Sequence, residues 1–116
     1  MKINNNDKIL FEKVKMEGAN NVRMKVLVGL GNKSENIIMR YFAISSNGNT
    51  PLHSHNYEHL VKVEEGEGVV IDKNGKEYKI KKGQSIFIEV GEQHQFKNPF
   101  SASFEFVCII PNLDNL

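Results

Sequence analysis

His53, His55 and His59 stand close together in Thr50-Pro51-Leu52-His53-Ser54-His55-Asn56-Tyr57-Glu58-His59, and the only other histidine is His94, inside Gly91-Glu92-Gln93-His94-Gln95-Phe96. Imidazole is the commonest side-chain ligand for divalent first-row metals, so a chain that places all its histidines in two turn-flanked segments is read as a metal-binding chain. His53 and His55 have the same parity in an extended segment and face one side, about 7 Å apart at Cα. Asn56, Tyr57 and Glu58 leave room for a bend before His59 opens the next strand as a third inward imidazole. His94 has to come from a strand adjacent in space. Tyr57 and Glu58 are the nearest candidates for proton transfer, and Glu58, opposite in parity to His59, is expected to orient an imidazole rather than to coordinate.

The elements that must position these groups read as β-strands. Period-two patterning dominates, with strands expected over 22–30, 37–44, 60–64, 69–73, 76–80, 84–90, 93–97 and 102–110. Turns are expected at Gly31-Asn32, Ser45-Ser46-Asn47-Gly48-Asn49, Glu65-Gly66-Glu67-Gly68, Lys82-Gly83 and Gly91-Glu92, and Asn74-Gly75 is the strongest hairpin signal. Phe104, Phe106, Cys108 and Ile110 share one face of the last strand. Strands at such short intervals imply an all-β sandwich or barrel. Residues 7–17 read either as a helical start or as an extended arm.

Composition narrows the classes. The 116 residues make a single domain, with 1–20 as an N-terminal arm. Fifteen Lys and Arg against 14 Asp and Glu, with no basic run, argue against nucleic acid and anionic membranes as partners. No apolar stretch suffices for a membrane span, and residues 1–7 carry no leader-like apolar region, so a soluble protein is expected. Cys108 is the only cysteine, which rules out an internal disulfide and suits a reducing cytosol; a cytoplasmic protein is expected. Its reading is a small hydrophobe on the core face, with a redox or ligand thiol as the alternative.

Two stretches then resemble the paired motifs of the cupins. Asn47 through His53-Ser54-His55, Glu58-His59 and Gly66 is similar to G-x5-H-x-H-x3,4-E-x6-G; Gly83 through Glu89, Gly91, His94 and Asn98 is similar to G-x5-P-x-G-x2-H-x3-N. The interval of 16 residues, 67–82, is that of compact single-domain bacterial cupins, and 45–98 contains both motifs. The flanks, Val22–Gly29, Met39-Arg40 and Phe106–Pro111, also look like the small manganese-binding cupins. Three departures stand out: Asn47 replaces the first glycine and tolerates a left-handed backbone, Glu89 replaces the proline, and His59 replaces the glutamate. The resemblance implies a double-stranded β-helix, or jelly-roll barrel, as a single cupin domain over 1–116. It also implies metal ligation by His53, His55, His59 and His94, and a homodimer in which 7–28 takes part.

Four neutral imidazoles leave a divalent ion near a local charge of about +2, so the pocket should attract anions. Manganese, iron, nickel or zinc could serve, with manganese or iron favoured. The expected ligand is a small dicarboxylate, α-keto acid or enediol. Val61, Val63, Phe87, Phe96 and Phe104 are expected to line the cavity, with Arg40, Tyr41 or Lys25 offered to a bound carboxylate. Two functions remain open: an enzyme of metal-dependent oxygenation, decarboxylation or isomerisation, or a non-catalytic metal and anion binding module. A structural barrel with a vestigial site is disfavoured by the four retained imidazoles.

Overall fold

The computed structural model describes residues 1–112. Among them nine strands follow in order: β1 (Glu12–Lys13), β2 (Asn20–Val28), β3 (Ile37–Asn49), β4 (His59–Glu65), β5 (Glu67–Asp72), β6 (Glu77–Lys81), β7 (Ser85–Ile88), β8 (His94–Lys97) and β9 (Phe104–Pro111). Single 3-10 turns occupy Asn6–Lys8 and Leu30–Asn32. The sheet order is β6-β5-β8-β3-β9-β4-β7, with β1 and β2 joined on at β3, and every pairing is antiparallel. The long β3 pairs with β9 and β2 over most of its length and reaches β8 at Asn49, so it joins the two layers of an all-β jelly-roll barrel. Among the described residues no helix is long and apolar enough to cross a membrane.

Alternation sets the core. In β9, Phe104, Phe106, Cys108 and Ile110 are buried and the residues between them are only partly covered, the pattern of a half-buried strand. Opposite them stand Ile44, Phe42, Arg40 and Ile38 of β3 on one side and Val63 and Val61 of β4 on the other. The hairpin expected at Asn74-Gly75 joins β5 to β6: Gly75 has φ 78° and Asp72 Oδ1 accepts from the N–H groups of Asn74 and Lys76.

One local expectation changes and one open choice is decided. The 45–49 stretch is not a strand-ending turn, because β3 continues to Asn49 and absorbs the bend at Asn47, whose φ is 65°. The next residue has to be glycine, since a Cβ at Gly48 would lie 2.7 Å from the Asn20 carbonyl oxygen. Residues 7–17, for which helix and arm were both open, form an arm with one 3-10 turn. Phe11 packs on Tyr41 at 6.0 Å between ring centroids, with the Arg23 and Lys25 cations over its ring, and these contacts favour an extended course over a helix.

Candidate metal centre

After β3 the chain stays extended and runs antiparallel to β8. Asn98 N–H donates to Gly48, Thr50 N–H to Phe96, and His53 and His94 exchange both backbone hydrogen bonds at 3.1 and 2.9 Å. An exchanging pair places both side chains on the same face, and this ladder is what brings the two histidine segments together. The Gly91 N–H then donates to the His55 carbonyl at 2.7 Å, holding the 89–92 turn against the first segment. Glu89, where the motif has proline, uses its N–H to reach the Glu92 carboxylate at 3.2 Å, so the turn is kept by a hydrogen bond instead of a ring.

Period two persists from 52 to 59 although no strand spans 54–58. Leu52, Ser54, Asn56 and Glu58 are exposed, while His53, His55, Tyr57 and His59 turn inward. The result is a cluster in which one ligand nitrogen each of His53, His55 and His94 lies within 4.8 Å of the others. His59, buried at the head of β4, stands outside that three-way cluster, its ring 4.6 Å from His55 and 5.2 Å from His94. Tyr57 stacks on both His55 (4.8 Å) and His59 (5.1 Å), nearly parallel to each. Glu58 is exposed and does not line the cavity.

The donor set fits a divalent ion. The Nε2 atoms of His53 and His55 are 3.0 Å apart, the span of two neighbouring ligands with bonds of about 2.1 Å to one metal; without a shared cation they need a proton between them. His94 Nδ1 donates to the Glu92 carbonyl at 2.9 Å, which fixes the tautomer and leaves Nε2 with its lone pair. His59 Nε2 is buried without a hydrogen-bond partner, while its Nδ1 lies 3.5 Å from Cys108 Sγ. Burial lowers the pKa of His53, with His94 and Arg40 beside it adding to the effect. Burial first, and then neighbouring histidines and Arg40, bring His55 to about 4 and His59 to about 3. Neutral imidazoles need lose no proton to bind metal. Burial raises Tyr57 and Cys108, so both keep their protons at neutral pH.

These lowered values predict an acid-sensitive fold. Because the folded pKa values lie below the ordinary 6.5, the unfolded chain binds more protons as pH falls, so this contribution to stability is complete above about pH 6.5 and is lost progressively toward pH 4 and below. Thermal melts in chelator should show Tm level from about pH 6.5 to about pH 8 and falling below that range, with a smaller fall in His55→Gln. An equal acid slope in wild type and variant would refute the assignment.

A cavity of about 300 Å³ opens beside the histidines. Of the expected lining residues, Phe96 and Arg40 are there. Val61, Val63 and Phe104 lie in the packed core, and Phe87 is on the outer face because Ile86 and Ile88 take the inward positions opposite Val61 and His59. Tyr41 faces out, its hydroxyl donating to Glu105 at 2.8 Å, and Lys25 Nζ donates to the Asn6 carbonyl. Sequence reasoning missed Phe42, Phe106 and Cys108, which strand parity does signal, and the arm residues Val14, Met16 and Ala19, which no periodicity marks. Cys108 is both core and cavity wall, with Arg40 Nη2 at 3.4 Å and His59 Nδ1 at 3.5 Å from its sulfur.

Comparison with known proteins agrees with this architecture. The chain superimposes on the polyketide cyclase RemF from Streptomyces resistomycificus with a TM-score of 0.91 at 28% identity, covering 96% of this chain and 79% of that one. A predicted oxalate decarboxylase from Thermotoga maritima gives 0.84 at 26% identity, covering 97% and 100%. A sugar phosphate isomerase from a cupin superfamily, from Silicibacter pomeroyi, gives 0.81 at 19% identity over 93% and 74%, a likeness of fold. The comparison with curated proteins gives no match. The cupin domain profile matches residues 40–110, which contain both histidine segments and the strands that carry them, and the chain is therefore a member of the cupin domain family.

Proposed function

We propose that the barrel holds one divalent ion on His53, His55 and His94, with His59 as a fourth imidazole, and that this centre binds a small anionic oxygen ligand such as a dicarboxylate, α-keto acid or enediol. The convergence of three histidine nitrogens within 4.8 Å carries the reading. Manganese or iron is the expected ion, with nickel and zinc as alternatives. An ion held there supplies Lewis-acid polarisation of a bound oxygen.

The chain's own groups define the rest. Four neutral ligands add no negative charge, and Arg40 adds a positive one, so the cavity favours an anion. Tyr57 retains its proton and acts as a hydrogen-bond donor rather than a base. The apolar wall excludes water from the oxygen ligand. Among the described residues no carboxylate lines the cavity. Oxygenation, decarboxylation and isomerisation are the candidate reactions, and two relatives described as a polyketide cyclase and a predicted oxalate decarboxylase support a small oxygen-bearing acid or enol as the ligand. The missing carboxylate is the observation that favours the second reading, a non-catalytic metal and anion binding module.

Elemental analysis of untagged protein tests the proposal. Wild type is expected to hold about one divalent ion per chain, and Glu58→Ala to keep it, because Glu58 is exposed. Folded protein that takes up none of manganese, iron, nickel or zinc when supplied with each would end the metal reading. Sedimentation of the same sample reads the proposed homodimer in which residues 7–28 take part; a 13.2 kDa species would end that part.

A further inference from the structure

The metal centre leaves one cation in the cavity that has no ion-pair partner among the described residues. Arg40 lies on β3 opposite Cys108, its Nη2 3.4 Å from the thiol sulfur and its guanidinium 5.0 Å from the centre of the Phe42 ring. Its Nε is buried with no hydrogen-bond partner. The salt bridges among the described residues, Lys62–Glu64, Lys79–Glu67 and Lys82–Glu65, are all elsewhere. A half-buried guanidinium whose Nη2 meets a sulfur, whose plane meets a ring and whose buried Nε has no partner among the described residues is poorly compensated, and an anionic ligand is the partner it lacks. The Cys108 thiol, in contact with both Arg40 and His59, joins this cation to the histidine cluster.

The remainder of the wall sets what else the ligand can carry. Val14, Met16, Met24, Phe42, Phe96 and Phe106 are apolar. Phe42 and Phe106 stack at 5.3 Å and 17°, and Phe96 lies 4.7 Å from Phe106. Thr50 is already committed, its Oγ1 accepting the Phe96 N–H at 2.9 Å. Among the described residues no second arginine and no lysine lines the cavity. Once the histidines, Arg40 and the Tyr57 hydroxyl are engaged, a second carboxylate or a set of sugar hydroxyls would therefore be desolvated against methyl and phenyl groups. The volume of about 300 Å³ is at the small end of ligand pockets, room for one or two fused rings.

Resting on the metal-site reading, we propose that the cavity takes an acid with a flat aryl body that carries one carboxylate beside a keto or hydroxyl oxygen. The paired oxygens face the histidines and Arg40, and the rings lie on Phe42 and Phe106. Arg40 is a specificity-determining residue that selects the charge. Within the ligand classes proposed above, the aromatic wall favours the keto or hydroxy acid over the dicarboxylate, and it selects against sugar phosphates.

The test is fluorescence titration of 3-hydroxy-2-naphthoate, 2-naphthol, oxalate, malonate and glucose 6-phosphate, with metal-free and manganese-loaded protein, wild type and Arg40→Met, and with metal content measured on each sample. The naphthoate should bind about tenfold or more tighter than oxalate, malonate or glucose 6-phosphate, read by its displacement. Arg40→Met should weaken the naphthoate by about tenfold or more but leave uncharged 2-naphthol within about threefold. Tm should be unchanged or higher in the variant, since a half-buried charge with no ion-pair partner among the described residues is replaced by an apolar chain of similar length. If oxalate, malonate or glucose 6-phosphate binds as well as the naphthoate, or Arg40→Met leaves naphthoate affinity intact, the proposal is overturned, and loaded manganese in those samples shows that the metal reading survives. Arg40-dependent naphthoate binding by protein that takes no metal supports the aryl-acid site and overturns the metal reading alone.

Discussion

Replacing His94 with alanine should lower manganese affinity by about a hundredfold, and so remove stoichiometric metal from purified protein. The estimate divides an apparent binding free energy of about 10–16 kcal/mol for four-ligand protein sites among its ligands, giving about 3 kcal/mol each. His94 should show the full loss because it is pre-oriented: Nδ1 donates to the Glu92 carbonyl, the backbone is bridged to His53, and the ring is buried. His53→Ala and His55→Ala remove the other members of the close cluster and should behave alike. His59→Ala should cost less, about tenfold, since it leaves the three clustered nitrogens in place. Its Nε2 has no hydrogen bond to lose, and its removal leaves only a cavity between Cys108 and Tyr57. Isothermal titration of each variant with manganese, beside circular dichroism, reads all four. Unchanged affinity in His94→Ala would remove the basis of the metal site; unchanged affinity in His59→Ala alone would reduce the donor set to three.

Gly68→Ala should destabilise the barrel by about 3 kcal/mol, a fall in Tm of more than about 10 °C. A Cβ there would sit 2.3 Å from both Cδ2 and Cε2 of Phe104, whose side chain is fully buried and in contact with Phe96 and Phe106. The ring cannot retreat without displacing those neighbours, and Phe96 in turn meets His94 at 5.9 Å. The missing side chain at Gly68 thus sets the depth of the aromatic layer beneath the histidines. Gly75→Ala is the control, with φ 78° but open space around it, and should cost only about 1 kcal/mol. In the double variant Gly68→Ala with Phe104→Leu, the smaller side chain relieves the overlap, so the combined loss should fall short of the two single losses by about 1 kcal/mol. Strict additivity in denaturant melts would show that the contact is not the cause.

Much of the site was legible because strand alternation is a local rule. The spacing of His53, His55 and His59 and the alternation of β9 give inward faces without knowledge of what lies across them. The same rule held through 54–58, where no ladder exists, and it would have placed Tyr57 between the imidazoles had its parity been followed. It also bars Tyr41 from joining Arg40 in the cavity, since neighbours on β3 face opposite ways. Depth was not legible. Val63 and Phe104 share the inward parity of cavity residues yet lie in solid core, because position along the barrel axis depends on the register of β4, β5 and β9.

The all-β class, the β5–β6 hairpin, the inward face of the last strand and the histidines that face inward are all legible along the chain, as consequences of side-chain period and turn chemistry over a few residues. Only the tertiary structure decided that His53 and His94 are bridged partners, that His59 stands outside the close cluster, that Cys108 lies between Arg40 and His59, and that the arm supplies Val14 and Met16 to the cavity wall. These are contacts between residues distant in the chain. They follow from how β3 crosses between layers and from the register of strands that no local pattern specifies.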